Sequence, residues 1–110
     1  MTTATPDVIE AYQAAHDRRD TDASLATFTP DAVVLDDGGE HHGTAEVRQW
    51  LSAAASEYTF TRTFLGAESL GDGRWLVRNH ISGNFPGGEV DLRYEFTLTD
   101  GLISRLVIAP

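Results

Sequence analysis

The alternation of apolar and polar residues in the second half of the chain constrains the fold most. In residues 89–99, EVDLRYEFTLT, one face carries Val90, Leu92, Tyr94, Phe96 and Leu98. The same period of two runs through residues 59–70, 74–85 and 102–109, and short turns containing glycine separate these stretches. Four strands joined by short turns predict an antiparallel meander with one buried face.

The first half of the sequence changes to helical spacing. Thr5 can cap a first helix, with Pro6 at its first position, and Val8, Tyr12, Ala15 and His16 then recur on one face. A second, short helix is predicted from Asp20 or Thr21; it carries Leu25 and Phe28 and stops at Pro30.

A strand and a third helix complete this half. The apolar stretch in residues 31–37, DAVVLDD, predicts the first strand. Thr44 can cap the third helix, whose apolar face carries Val47, Trp50, Leu51, Ala54 and Tyr58. Three helices followed by a meander predict an α+β fold. We expect the helices to lie across the concave face of a curved, mostly antiparallel sheet, leaving a cone open at one end for a small molecule.

Composition narrows the function classes. A chain of 110 residues is expected to form a single domain spanning residues 1–110. It contains no cysteine, which excludes disulfides and a cysteine nucleophile and fits a cytoplasmic location. The net charge of −9 disfavours nucleic acid and anionic membranes as partners. The first residues lack the basic and apolar segments typical of a signal peptide, and no apolar run approaches the roughly 20 residues of a membrane helix. We therefore expect a small molecule or a protein as partner.

The end of the first predicted strand carries unusual chemistry. Asp36 follows an apolar run, where loss of solvation would raise the pKa of its carboxyl toward that of a general base. The alternative is a solvated turn residue. Glu40 and His41 follow in what we expect to be the loop at the pocket rim, and we expect His42 to pack before the third helix. Adjacent histidines on a strand point to opposite faces and no third ligand is suitably spaced, so no metal site is predicted.

Three segments carry a family resemblance: AYQAAHDRRDTDASLATFTPDAVVLDDGG, HGTAEVRQWL and SGNFPGGEVDLRYEFTLTDGLISRLVIAP. The sequence resembles the SnoaL-like branch of the NTF2-like superfamily from about residue 8 to the end. The resemblance implies a cone-shaped α+β barrel with three N-terminal helices packed on the sheet. The superfamily includes ketosteroid isomerases, polyketide cyclases, limonene epoxide hydrolases and members with no known reaction.

The N-terminal third is also similar to the bacterial ketosteroid isomerases, which implies catalytic roles for three residues. Tyr12 and Asp36 match the family's hydrogen-bond donor to the substrate oxygen and its proton-shuttling carboxylate. Tyr94 falls where the isomerases have a protonated aspartate, and a phenol can also donate to an oxyanion. Tyr12 and Tyr94 can instead be ordinary core tyrosines, and Asp37 stands where the isomerases have a proline.

Five further residues are candidates for contact with substrate: His16, Trp50, Tyr58, Phe60 and Asn79. His16 can alternatively stabilise the C-terminus of the first helix. Asn79 shares a strand face with apolar residues, so its amide needs a partner. Arg62, with the other strand arginines, is expected on a solvated sheet face or at a dimer interface.

Two hypotheses of different class follow. The first is an isomerase or cyclase that uses acid–base chemistry on a hydrophobic ketone or polyketide-like substrate, without a cofactor. The second is a non-catalytic module that binds a small hydrophobic molecule or a protein. An epoxide hydrolase, in which an arginine flanked by two carboxylates activates water, is a weaker alternative that would use Arg62 or Arg93. A homodimer through the outer face of the sheet is expected in either case.

Overall fold

A computed structural model of the chain describes residues 5–36, 38–57 and 60–110, with the side chains of residues 54–57 outside the description. In chain order the elements are α1 (Asp7–Asp17), α2 (Thr21–Leu25), β1 (Phe28–Asp36), β2 (Gly39–His42), α3 (Gly43–Glu57), β3 (Phe60–Gly71), β4 (Arg74–Gly83), β5 (Glu89–Thr99) and β6 (Leu102–Ala109). The α+β class and the order of helices and meander agree with the sequence prediction.

Within these ranges the strands form one six-stranded sheet in the order β2-β1-β6-β5-β4-β3. All neighbours are antiparallel except β1 and β6, which are parallel. The parallel pairing sets Asp36 opposite Ile108, so the first strand and the last strand end at the same edge of the sheet. The end of β1 is therefore built into the sheet rather than left in a loop.

Helices and sheet enclose one apolar core. Its fully covered side chains include Ile9 from α1, Leu51 from α3, Val34 from β1, Phe96 from β5 and Leu106 from β6. The alternation in β5 is confirmed, because Tyr94 and Phe96 are buried while Arg93 is exposed. In the described part of the chain, no helix is both long and apolar enough to cross a membrane.

Four local predictions were wrong. Thr44 lies inside α3, which begins at Gly43, instead of capping it. Phe28 opens β1 instead of ending α2, because it pairs with Ile103 of β6 and its ring meets Tyr12 edge-on. Residues 39–42 are a strand instead of a rim loop: Gly38, at φ +78°, makes the tight turn that folds β2 back on β1. The N-cap of α1 is Pro6, not Thr5.

Candidate functional site

A cavity of about 610 Å³ lies between the helices and the concave face of the sheet. Six of the residues singled out from the sequence line it: Tyr12, His16, Asp36, Trp50, Phe60 and Tyr94. They come from α1, β1, α3, β3 and β5, so five separate elements bring them together. The wall is aromatic, and Asp36 lies in it at the end of β1. A cavity of this size accommodates a small organic molecule.

The Asp36 carboxylate is held by a tryptophan of the facing helix. Trp50 Nε1 of α3 donates a hydrogen bond to Asp36 Oδ2 at 3.0 Å. Asp36 is half-buried and Trp50 is buried, so this contact is shielded from solvent on one side. Hydrogen bonds to an ionised acceptor are stronger than neutral ones, and this bond fixes the orientation of the carboxylate in the cavity wall.

Tyr12 reaches the cavity from α1 and is only 1% exposed. Its ring packs edge-on against Phe28 and Phe96, with centroids 5.5 and 5.8 Å away. Its buried hydroxyl has no hydrogen-bond partner among the described residues. Burial raises the pKa of Tyr12 well above its ordinary value; the charges of Tyr94 and Asp36 add to the rise. The phenol is thus a protonated donor without an acceptor in the described part of the protein.

Tyr94 lies on the same wall, between Val77 of β4 and Ile108 of β6. Burial, followed by the charge of Asp36, raises the pKa of its phenol to about 12. A hydrogen bond with Asn79 opposes that rise. Both cavity phenols therefore keep their protons at neutral pH and can donate to a ligand oxygen.

His16 and Phe60 form the neighbouring part of the wall. The His16 ring stacks on Tyr12 with centroids 5.8 Å apart and lies 5.7 Å from the Phe60 ring. Burial lowers the pKa of His16, with Arg19 and Arg62 adding to the effect and Asp17 opposing it. The imidazole is neutral at pH 7. The lining also includes the carboxyl groups of Asp36 and Glu89.

Of the two remaining sequence candidates, one is described by the structure and does not line this cavity. Asn79 is completely buried behind the wall, where its amide bonds to Gln13 and Arg62. Tyr58 lies outside the described residues. The predicted partner for the Asn79 amide thus exists, but it is protein rather than ligand.

The placement of Arg62 on a solvated face was wrong. Arg62 points under α1, and its side chain is 16% exposed, because it is bonded to Asp17 and to the amides of Gln13 and Asn79. Among the described residues, Asp17 is the single carboxylate in ion-pair contact with it. The pair of flanking acids that the epoxide-hydrolase alternative needs is therefore not present around Arg62 in this part of the chain.

Sequence reasoning missed several lining residues. Phe85 and Pro86 come from the turn between β4 and β5, while Ile108 and Pro110 come from the end of the chain. Leu92 shares the strand face of Tyr94 and could have been found from the alternation. The C-terminal residues could not, because they reach the cavity through the parallel pairing of β6 with β1.

The acidic and histidine-rich stretch lies on β2. Glu40 and His42 share its exposed face, with a carboxylate oxygen and a ring nitrogen 3.5 Å apart, while His41 is half-buried beside the Trp50 ring. Within the described ranges, no cluster of three or more histidine or acidic side chains could hold a metal ion. Asp37, also singled out from the sequence, is outside those ranges.

Several solved structures share this fold. A Sinorhizobium meliloti protein described as a proposed polyketide cyclase is 42% identical, with a TM-score of 0.90 over 96% of this chain and 95% of its own. A Catenulispora acidiphila protein with a ketosteroid isomerase-like fold, crystallised with trimethylamine, is 18% identical, with a TM-score of 0.85 over 97% of this chain and 87% of its own. A Mycobacterium tuberculosis protein in complex with estradiol-17beta-hemisuccinate is 17% identical, with a TM-score of 0.79 over 94% of this chain and 90% of its own.

No curated protein matches the sequence. The family model for the SnoaL-like domain, however, matches residues 9–106, from α1 into β6. With the cone-shaped arrangement of helices and sheet and the structural neighbours, this match shows that the chain belongs to the SnoaL-like domain family, within the NTF2-like fold.

Proposed function

We propose that this protein is an isomerase or cyclase that needs no cofactor and acts by acid–base catalysis on a hydrophobic ketone or polyketide-like substrate. One observation carries the proposal: a carboxylate, Asp36, lines the same aromatic cavity as two protonated phenols, Tyr12 and Tyr94. A base beside donors that can receive negative charge is what removal of a proton next to a carbonyl requires.

In the proposed reaction, Asp36 takes a proton from the carbon next to the substrate carbonyl. The electron pair of the broken C–H bond forms an enolate, whose oxygen accepts hydrogen bonds from Tyr12 and Tyr94. Isomerisation ends when the protonated Asp36 returns the proton to a different carbon. In cyclisation the enolate carbon attacks a second carbonyl, and Asp36 gives its proton to the resulting alkoxide. Each proton transfer moves the negative charge between Asp36 and the substrate oxygen, so the total charge of the site does not change.

The unpartnered hydroxyl of Tyr12 supports this reading. An unmade hydrogen bond on a buried hydroxyl costs about 1–3 kcal/mol, so the fold carries that cost unless a ligand oxygen supplies the acceptor. The 42% identical neighbour described as a proposed polyketide cyclase also favours this substrate class.

The second candidate is a non-catalytic module that binds a small hydrophobic molecule. The Trp50 hydrogen bond favours it, since a bond to the ionised carboxylate stabilises that form and makes Asp36 a weaker base. Neighbours crystallised with trimethylamine and with a steroid ester are consistent with ligand binding by this fold without chemistry.

Binding of 2-naphthol, a planar enol analogue, tests the site. Calorimetry should detect binding to the wild-type protein, and Tyr12→Phe and Tyr94→Phe should each weaken it by about 5- to 10-fold, as expected for one lost hydrogen bond. The matched control ligand is 2-methylnaphthalene, which has no oxygen and should bind both variants as it binds the wild type. If both variants bind 2-naphthol as tightly as the wild-type protein does, the proposed role of the phenols is contradicted.

A further inference from the structure

A partly buried polar network joins α1 to the sheet. Arg62 of β3 forms a two-pronged ion pair with Asp17 of α1, Nε to Oδ1 at 2.9 Å and Nη2 to Oδ2 at 2.8 Å. Its third nitrogen, Nη1, donates to Asn79 Oδ1 at 3.0 Å and to Gln13 Oε1 at 3.2 Å. Asn79 Nδ2 in turn donates to Gln13 Oε1 at 2.9 Å. The guanidinium is therefore held on three sides.

The network leads toward Tyr94. Arg62, Asn79 and Tyr94 lie on the same face of three neighbouring strands, each offset by two residues from the Cα partner of the next. Asn79 is completely buried, and its amide interacts with the Tyr94 phenol, which lowers the pKa of Tyr94. Because Arg62 holds the Asn79 oxygen, the Asn79 amide nitrogen is the group left to face its other neighbours. Donation from that nitrogen to the Tyr94 oxygen would leave the phenolic proton available to the cavity.

The two charges of the ion pair differ in their exposure and in their effect on the phenols. For both Tyr12 and Tyr94, the charge of Arg62 lowers the pKa more than the charge of Asp17 raises it. The Asp17 side chain is also the more exposed partner, at 37% against 16% for Arg62. The positive end of the pair is thus inside, toward the phenols, and its negative end is partly screened by solvent.

We propose that the Asp17–Arg62 pair, fixed by Gln13 and Asn79, positions Tyr94 and presents a buried positive end to the cavity, so that it strengthens both phenols as donors to an oxyanion. The proposal rests on the proposed function for the identity of that oxyanion. Arg62 and Asn79 are positioning residues here, since neither lines the cavity among the described contacts.

The test measures the ionisation of position 94 in the ligand-free protein. Incorporation of 3,5-difluorotyrosine at residue 94 provides a phenol that ionises at lower pH than tyrosine, and ¹⁹F NMR follows its titration. Arg62→Gln should raise that pKa and Asp17→Asn should lower it, each by on the order of half a unit. Arg62→Lys should restore most of the wild-type value because it keeps the charge.

Opposite signs are what distinguish this role from a structural one, because loosening the network from either end would move the phenol in the same direction. Shifts of equal sign, or none, would overturn the inference. Asp17→Asn is isosteric at a half-exposed side chain, so it decides the sign alone if Arg62→Gln does not fold. The matched control is Asp22→Asn, which breaks the exposed Asp22–Arg48 pair and should leave the titration unchanged.

A binding measurement separates this inference from the proposed function. If the fluorotyrosine shifts have opposite signs but 2-naphthol does not bind, the electrostatic arrangement stands and the proposed function fails. If 2-naphthol binds through Tyr12 and Tyr94 but Arg62→Gln leaves both its affinity and the titration unchanged, the inference fails and the proposed function stands. If the inference and the proposed function both hold, Arg62→Gln should lower the affinity for 2-naphthol by about 5-fold.

Discussion

Removing the hydroxyl of Tyr12 should stabilise the protein. Tyr12→Phe keeps the ring contacts with Phe28, Phe96 and His16 and deletes one buried oxygen that has no partner among the described residues. An unsatisfied buried polar group costs about 1–3 kcal/mol, so we expect the free energy of unfolding to rise by about 1 kcal/mol. With a urea dependence of about 1–3 kcal/mol per molar, the unfolding midpoint should increase by roughly 0.5 M.

Tyr94→Phe is the matched control, since it deletes the same atom from a second buried cavity tyrosine. Its hydroxyl interacts with the Asn79 amide, which lowers the pKa of Tyr94, so we expect the variant to lose about 0.5–1.5 kcal/mol and to unfold at lower urea. Urea unfolding followed by far-ultraviolet circular dichroism measures both variants. Equal destabilisation of the two would refute the reasoning, because it would mean that the Tyr12 hydroxyl makes a stabilising bond in the ligand-free protein.

Four further predictions concern stability and assembly. Burial lowers the pKa of His16, so the unfolded state binds more protons; stability should fall as pH drops below about 6.5, and His16→Gln should reduce the fall in urea titrations at pH 5 and 8. Hydrogen bonds to Asp91 and Glu89 raise the pKa of His80, so the folded state binds its proton more tightly than the unfolded state does. The stabilisation that results should be present below about pH 6.5 and should be lost as pH rises through the folded-state pKa. His80→Gln should abolish it. Gly73, at φ +76°, would place an added Cβ 2.9 Å from the Leu98 carbonyl oxygen, whereas an added Cβ at Gly71, at φ +86°, meets nothing within 4 Å. Backbone strain should lower the free energy of unfolding of both alanine variants by about 1–2 kcal/mol, and Gly73→Ala should lose measurably more than the control Gly71→Ala. Through the outer sheet face we expect a homodimer, so light scattering at micromolar concentration should give twice the chain mass, and a monomer would contradict this.

Local periodicity explains which parts of the site could be predicted from the sequence. Tyr12 follows Val8 at a helical interval, and Tyr94 lies within an alternating strand, so the inward direction of both side chains was readable without a structure. Asp36 was identified because an ionisable group follows directly on an apolar strand. These inferences need only the neighbours within one element.

The parts that were missed depend on contacts between distant elements. Asp17 and Arg62 are 45 residues apart, and their ion pair depends on how α1 lies across β3. The same holds for Ile108, which reaches the cavity through a parallel strand pair that no turn signal announces. Local spacing placed Phe28 in a helix, but its pairing with Ile103 puts it in a strand. The strand β2 is too short for its alternation to be distinguished from a loop.

Proton exchange on a simple ketone tests the central claim most directly. The wild-type protein and Asp36→Asn are incubated with 2-tetralone in D₂O, and ¹H NMR follows the loss of the hydrogens next to the carbonyl. The account predicts that the wild-type protein accelerates this exchange above the buffer rate and that Asp36→Asn, which removes a general base, lowers the acceleration by about 100-fold or more. Binding of 2-tetralone with exchange at the buffer rate, or equal exchange in the two proteins, would contradict it.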